Sequence, residues 1–426
     1  MAAHPLSDRS DEAALDRLAA IYSDPVPPWP IYDAADLAAV AETASRLADP
    51  ARIGDGLYPA GHTDVVGELC AAVRDYFGVP HVFATNSGWS AGFAILNALD
   101  LPRGDRIVVN GFAHGQSVSA FRLFGLEPVF VDPDATLNLD PERIEDRIDG
   151  RTRALWITHV HGNPCRMDAI VEIARRRGLL LVEDCCQAWG ARFQGRPVGT
   201  FGDYAFFSFC APKQVAAGNG GCVLAGDGER FRRLVLASGR QGPIFERCFG
   251  VEMRARNELR SRGYYPPVVV DGHRCFSDSV TFSLDIAPLE AAVAIGKIRG
   301  VDRRNAEVVR HVALFRRLLT SDLVRYPAVY DGASPVFLRL DLAIDFRRLP
   351  AGRRRFIELC HRAGLGREID SPPEYLPAVH RLGGGPKRFA DEDLLTLASY
   401  KWYSPAATAG VEQIARALAE VLELCR

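Results

Sequence analysis

From about residue 81 to residue 225 the chain alternates short, almost wholly apolar runs with longer mixed ones. HVFATNSG leads into a helical stretch, and DRIVVN follows. A helix near 115–124 precedes EPVFVD, one around 141–149 precedes TRALWITHV, and one around 167–177 precedes LLLVED. AFFSF and GCVLAG complete the series. A strand with one solvated face alternates apolar and polar residues. These runs do not, so both of their faces are buried. Buried strands separated by helices predict a mostly parallel sheet covered on both sides.

The rest of the chain is organised around that sheet. Residues 1–30 read as an arm ending in the proline-rich DPVPPWP, after which Asp33 caps a helical pattern bearing Leu37, Val40 and Leu47. A helix over 66–78 ends at Gly78-Val79-Pro80. Residues 239–280, with Tyr264-Tyr265, are the least regular. Pro288 then opens a helical region through Val301, Val308, Val312, Phe315 and Leu319, which predicts one long connecting helix. VFLRLDLAI reads as a half-buried strand and FIELCHRAG as a helix stopped by Gly364. Val411, Ile414, Leu418, Val421 and Cys425 share one face of a final helix. GGGPKR at 383–388 reads as a mobile loop, not a P-loop, because no Ser or Thr follows the lysine in frame. The expected division is an amino-terminal arm and helix (1–46), a large α/β domain (47–285), and a long helix with a small α+β domain (286–426).

Composition narrows the function. With 426 residues, 48% of them apolar, the chain can bury one large core and a smaller one. A net charge of -2 disfavours nucleic acid or an anionic membrane as the main partner. The opening MAAHPLSDRSDEAALDRL lacks the basic start and apolar core of a signal peptide, and no apolar run approaches membrane-spanning length. The ten cysteines include no CxxC pair. Scattered thiols of that kind are expected to be reduced, which predicts a cytoplasmic protein.

The chemistry concentrates in residues 182–221, VEDCCQAWGARFQGRPVGTFGDYAFFSFCAPKQVAAGNGG. Asp184 ends an apolar run, where parallel sheets place ligands. Lys213 follows AFFSF and precedes a glycine-rich turn. Of 51 basic residues only Lys213, Lys297, Lys387 and Lys401 are lysines. A position that resists such an arginine bias needs an amine that can deprotonate and act as a nucleophile.

This stretch resembles the DegT/DnrJ/EryC1/StrS family of pyridoxal-phosphate aminotransferases. The resemblance is carried by an acidic-x-x-Gln-Ala motif at Asp184, a VGxxGD turn at Val198, an FSF strand, a lysine four residues on, and a GxGG turn, in that order. It is strong over residues 80–225 and generic on either side. It implies fold type I, a large mostly parallel-sheet domain with a small carboxy-terminal α+β domain. It also implies a pyridoxal 5'-phosphate cofactor, a homodimer, and an amino group moved from glutamate or glutamine to a keto-sugar, keto-cyclitol or related metabolite.

Roles follow position by position. Lys213 is implied as the Schiff-base lysine and proton carrier, Asp184 as the partner of the pyridinium nitrogen, and Gln187 as a neighbour of the phenolic oxygen. Gly88 and Trp89, opening a helix after NSG, supply first-turn amides for the phosphate. The family reads Ser-Gly-Thr there, so Trp89 removes a hydroxyl that Ser90 can replace. Ser208 matches the second phosphate hydroxyl. His114 falls at the ring-stacking position, with Phe112 as the alternative. His159 is expected near the cofactor as a supporting residue. His159, His161 and Cys165 form a partial zinc set without an evident fourth ligand, and no metal is expected. The cross-dimer Asn-x-Arg of many relatives is replaced by Ser283 and Asp285, so that contact is either absent or made by another group such as Arg274. A rival is a non-transamination reaction on the same cofactor: elimination, decarboxylation or dehydration. The family's sugar dehydratases carry histidine where this chain has Lys213, which disfavours the last. A binding protein without activity is the third possibility.

Overall fold

In a computed structural model the described residues are 32–48, 60–112, 115–238, 268–270, 273–275, 284–365, 369–370, 394–397, 399, 402 and 404–426. The central sheet has seven strands: β1 (Val82–Thr85), β2 (Arg106–Asn110), β3 (Glu127–Val131), β4 (Thr152–Thr158), β5 (Leu180–Asp184), β8 (Tyr204–Ser208) and β9 (Gly221–Ala225). Short β6 (Arg192–Phe193) and β7 (Arg196–Pro197) lie between β5 and β8. The order is β1-β9-β8-β5-β4-β2-β3, and β9 alone runs antiparallel to its neighbours.

Side-chain alternation feeds two layers of core. Trp156, Val182 and Phe206 pack with Ile95, Phe121 and Leu234 on one face of the sheet. On the other, Leu155 and Leu181 pack with Met167 and Ile170, while Phe207 joins Leu69, Val73 and Ile295. Adjacent residues of one strand therefore serve opposite faces, which explains the near-continuous apolar runs.

Two helical expectations change. The region after Pro288 is two helices, Pro288–Arg299 and Val301–Leu318, divided at Gly300. The stretch around 141–149 forms two single 3-10 turns, Pro141–Arg143 and Glu145–Arg147. Asp33 does cap the first helix, Ala34–Ala48, by accepting the amides of Ala35 and Asp36. Asp36 in turn holds the buried Lys297 at 2.5 Å, tying that helix to Pro288–Arg299.

A second core forms around Val308, Phe315, Phe356, Leu342, Val411 and Leu418. The hairpin β10 (Val268–Val270) and β11 (His273–Cys275) precedes it. Its sheet pairs β12 (Val324–Arg325), β14 (Leu340–Ile344), β16 (Leu394–Leu397) and β15 (Ile369–Asp370), in that spatial order. β13 (Ala333–Ser334) crosses back to β6. The Val301–Leu318 helix joins the two cores, with Val301 in the first and Val308, Val312 and Phe315 in the second. Among the described residues no helix is long and apolar enough to cross a membrane.

Candidate active site

A cavity of about 250 Å³ opens at the carboxyl ends of β5 and β8, beside the start of the Gly88–Leu99 helix. Asp184 is the last residue of β5 and pairs in register with Phe206 of β8. Two residues later Ser208 ends β8. The chain then turns, with the Lys213 amide donating to the Cys210 carbonyl at 3.1 Å, and this brings the lysine back to the cavity wall. Asp184, Gln187, Ser208 and Lys213 thus line one space, closed from the second core by Leu338 and Arg339.

Burial sets the electrostatics. Desolvation pushes the Asp184 carboxyl above its ordinary value, while the Cys186 amide (3.1 Å) and the charge of Lys213 pull it back. Desolvation also drives the Lys213 ammonium below its usual range; Cys186 and Asp184 oppose the shift, and Arg339 adds to it. A lowered amine holds more of its neutral, nucleophilic form. The Cys186 thiol is pushed well up by burial and by Asp184, and so stays protonated.

The cavity also has a wall suited to an anion. Ser87 caps the Gly88–Leu99 helix by accepting the Ser90 amide at 3.0 Å, and Gly88 and Trp89 sit on the cavity wall at the positive end of the helix dipole. A Cβ on Gly88 would lie 2.6 Å from the Ser208 Cβ and 3.1 Å from the Cys186 Sγ. Only glycine lets this helix start approach the Ser208 hydroxyl so closely.

The model of the DegT/DnrJ/EryC1/StrS aminotransferase family matches residues 61–388, most of the chain. The protein belongs to this family. GDP-perosamine synthase of Caulobacter vibrioides is 30% identical over 253 residues, covering 59% of this chain and 61% of that one. A dTDP-4-dehydro-2,6-dideoxy-D-glucose 3-dehydratase of Saccharopolyspora spinosa is 34% identical over 237 residues, 52% of this chain and 50% of that one. The matched region thus spans about half to three fifths of these relatives' length. The crystal structure of a 3-amino-5-hydroxybenzoic acid synthase superposes with a TM-score of 0.74 at 23% identity, covering 94% of this chain and 99% of that one. That likeness shows a shared fold, the fold type I arrangement of this family.

The family's cofactor suits the residues present. A phosphate fits the Gly88 helix start and Ser208, and a cationic ring nitrogen fits the buried Asp184, whose desolvation a positive neighbour offsets. Gln187 also lines the cavity. Its Oε1 accepts the His161 amide at 2.6 Å, so its NH2 is the group it can offer a ligand.

Two expected positions, Ser90 and His159, lie off the cavity wall. Ser90 does not line the cavity; its hydroxyl donates to Asn86 at 2.5 Å and pairs with Ser87 at 2.8 Å, serving the cap. Trp89 lines the cavity with 37% of its surface exposed. His159 is fully buried away from the cavity: its Nδ1 accepts the Cys165 amide (3.0 Å), so its Nε2–H donates to Glu183 (3.2 Å). His161 turns instead to Asp341, so the two rings of the HVH segment do not converge on one ion. His114, Ser283 and the side chain of Arg274 lie outside the described residues, as does the 383–388 loop. Asp285 precedes the Pro288–Arg299 helix.

Sequence reasoning missed Glu183. Its carboxylate points to the face opposite Asp184 and accepts the amides of Gly199 (2.8 Å), Phe201 and Gly202 (both 2.7 Å), besides His159. It pins the VGTFGD turn that leads into β8. The available signal was a second acid in a strand, one step out of phase with the first.

Proposed function

We propose that the protein is a pyridoxal-phosphate-dependent aminotransferase that moves an amino group from glutamate or glutamine to a keto-sugar, keto-cyclitol or related ketone or aldehyde. The observation that carries this reading is that Lys213 and Asp184 share one cavity with a helix start and a serine. Bound pyridoxal phosphate supplies an aldehyde for amines and a ring that withdraws electrons from the substrate carbon.

The chain's own groups do the rest. With the cofactor bound, Lys213, its amine biased toward neutrality, would take up at Nζ the proton from the carbon bearing the donor's amino group and deliver it to the carbon on the far side of that nitrogen. Asp184 keeps a positive charge on the ring nitrogen. Gly88, Trp89 and Ser208, all on the cavity wall, would hold the phosphate, and the Gln187 NH2 would orient the ring. Trp156, Phe206 and Leu338 line the cavity with apolar surface and limit water at the reacting carbon.

The dehydratase relative supports a second reading, elimination on the same cofactor. A lysine at position 213 weighs against it. Mixing the cofactor-loaded protein with glutamate or glutamine separates the two. Transamination bleaches the visible band and releases one 2-oxo acid per site, and Lys213→Ala abolishes both. A band that forms and resists both donors would sink the aminotransferase reading. We further read the protein as a cytoplasmic homodimer. The eight described cysteines, all free, support a reducing compartment, and sedimentation of the loaded enzyme tests the dimer.

A further inference from the structure

His161 lies where the two cores meet, and its backbone is left-handed (φ 51°, ψ 24°). A non-glycine residue keeps that conformation only when its surroundings hold it. Three contacts do. Its Nδ1–H donates to Asp341 Oδ2 at 2.6 Å, and Asp341 is itself fixed through Oδ1 by the Thr396 hydroxyl at 2.7 Å. Phe112 presents an edge to the ring at 5.9 Å. The His161 amide donates to Gln187 Oε1 at 2.6 Å. Among the described residues the ring's other nitrogen has no partner, and His161 borders a void of about 10 Å³, room for one water at most.

The turn is pressed against both neighbours. A Cβ on Gly162 (φ 87°) would lie 2.9 Å from the Gln187 carbonyl oxygen and 3.0 Å from the Phe337 nitrogen, and the Val336 amide donates to the Gly162 carbonyl at 3.0 Å. Gln187 is also held at its own carbonyl, which accepts from Gln214 Nε2 at 2.7 Å. The side-chain amide of Gln187 is therefore set by His161, and His161 by the β14 strand, whose preceding residues Leu338 and Arg339 wall the cavity.

We infer that the His161–Asp341 pair is a strut through which the carboxy-terminal sheet orients Gln187, so that the amide NH2 faces the ligand only when that sheet is docked. Asp341 and His161 are positioning residues: neither lines the cavity, and both act through Gln187. The inference rests on the cofactor reading above. It gives the docking of the second core a consequence inside the site. Separating the cores releases His161, and Gln187 is then free to present oxygen in place of nitrogen.

A double-mutant cycle tests the strut, using Asp341→Leu, which has no oxygen to accept the His161 Nδ1–H, together with Gln187→Ala and the pair in the full chain. Pyridoxal-phosphate dissociation constants come from absorbance titration, and thermal midpoints are taken without cofactor. Asp341→Leu is expected to weaken cofactor binding roughly three- to tenfold alone, the scale of one lost hydrogen bond, but about twofold or less in the Gln187→Ala background. The midpoint should fall equally in both backgrounds. An equal binding penalty in both backgrounds, or none in the first, would overturn the strut and leave only a domain contact. His161→Asn, which tolerates the left-handed backbone, runs the same cycle if Asp341→Leu does not fold. A wild type that binds no pyridoxal phosphate would overturn the cofactor reading, and the strut with it.

Discussion

Asp184 and Lys213 are displaced in opposite directions by the same burial: desolvation lifts the carboxyl and lowers the amine, and each charge draws the other part of the way back. The ordinary protonation states of both groups are thus held against a standing cost in the cofactor-free protein. A functional site commonly carries such a cost.

The cost has a sign. Folding lowers the Lys213 value below 10.5, so between the lowered value and 10.5 the unfolded chain binds more protons and stability rises with pH. Below that window the buried ammonium destabilises the fold. Lys213→Met should make the cofactor-free protein more stable than wild type at pH 7, with the advantage shrinking as pH rises toward 10.5. Urea midpoints at pH 7 and pH 10 measure it; a less stable variant at pH 7 would refute the argument.

Asp184→Asn keeps the shape of the side chain and its bond from the Cys186 amide but removes the charge. We expect donor-induced bleaching to slow by about 100-fold or more, because the interaction it removes strengthens as charge develops on the ring. The cofactor-free thermal midpoint should not fall, since a desolvated charge is removed as well. Stopped-flow absorbance reads the first quantity and calorimetry the second.

Gly88→Ala should push the helix start away from Ser208, because its Cβ meets the Ser208 Cβ at 2.6 Å. Cofactor affinity should fall about tenfold or more, and Ser208→Ala alone should cost about 1.5–3 kcal/mol, a hydrogen bond to a charged group. Competition by inorganic phosphate should weaken in parallel in both variants. Unchanged phosphate competition would place the anion elsewhere.

Glu183 carries a prediction about stability. Glu183→Ala leaves the buried amide of Gly199 and the partly buried amides of Phe201 and Gly202 without their acceptor. A loss of about 3 kcal/mol or more is expected in urea unfolding. A loss below about 1 kcal/mol would mean that the turn is held by other contacts.

The sequence made some of this plain and hid the rest for physical reasons. Asp184, Ser208 and Lys213 were readable because strand ends and a short turn bring them together with little help from distant chain. The break at Gly300 was hidden because Ile298 and Val301, on either side of it, keep helical spacing in one core, and Val308 and Val312 carry the period on into the other. The 141–149 segment had a good start in Asp140 and Pro141, yet it runs out at Gly150 before a helix gains from propagation. Ser90 looked like a spare phosphate hydroxyl, but Asn86, four residues back, claims it. The His161–Asp341 pair spans 180 residues, and no local pattern announces a contact of that separation.

The most direct test of the central claim is to load the purified protein with pyridoxal phosphate, reduce it with borohydride and locate the label by peptide mass spectrometry. The account predicts one pyridoxyl group per chain, on Lys213, and its loss in Lys213→Ala. A label on Lys297 or another lysine, or none at all, would contradict it.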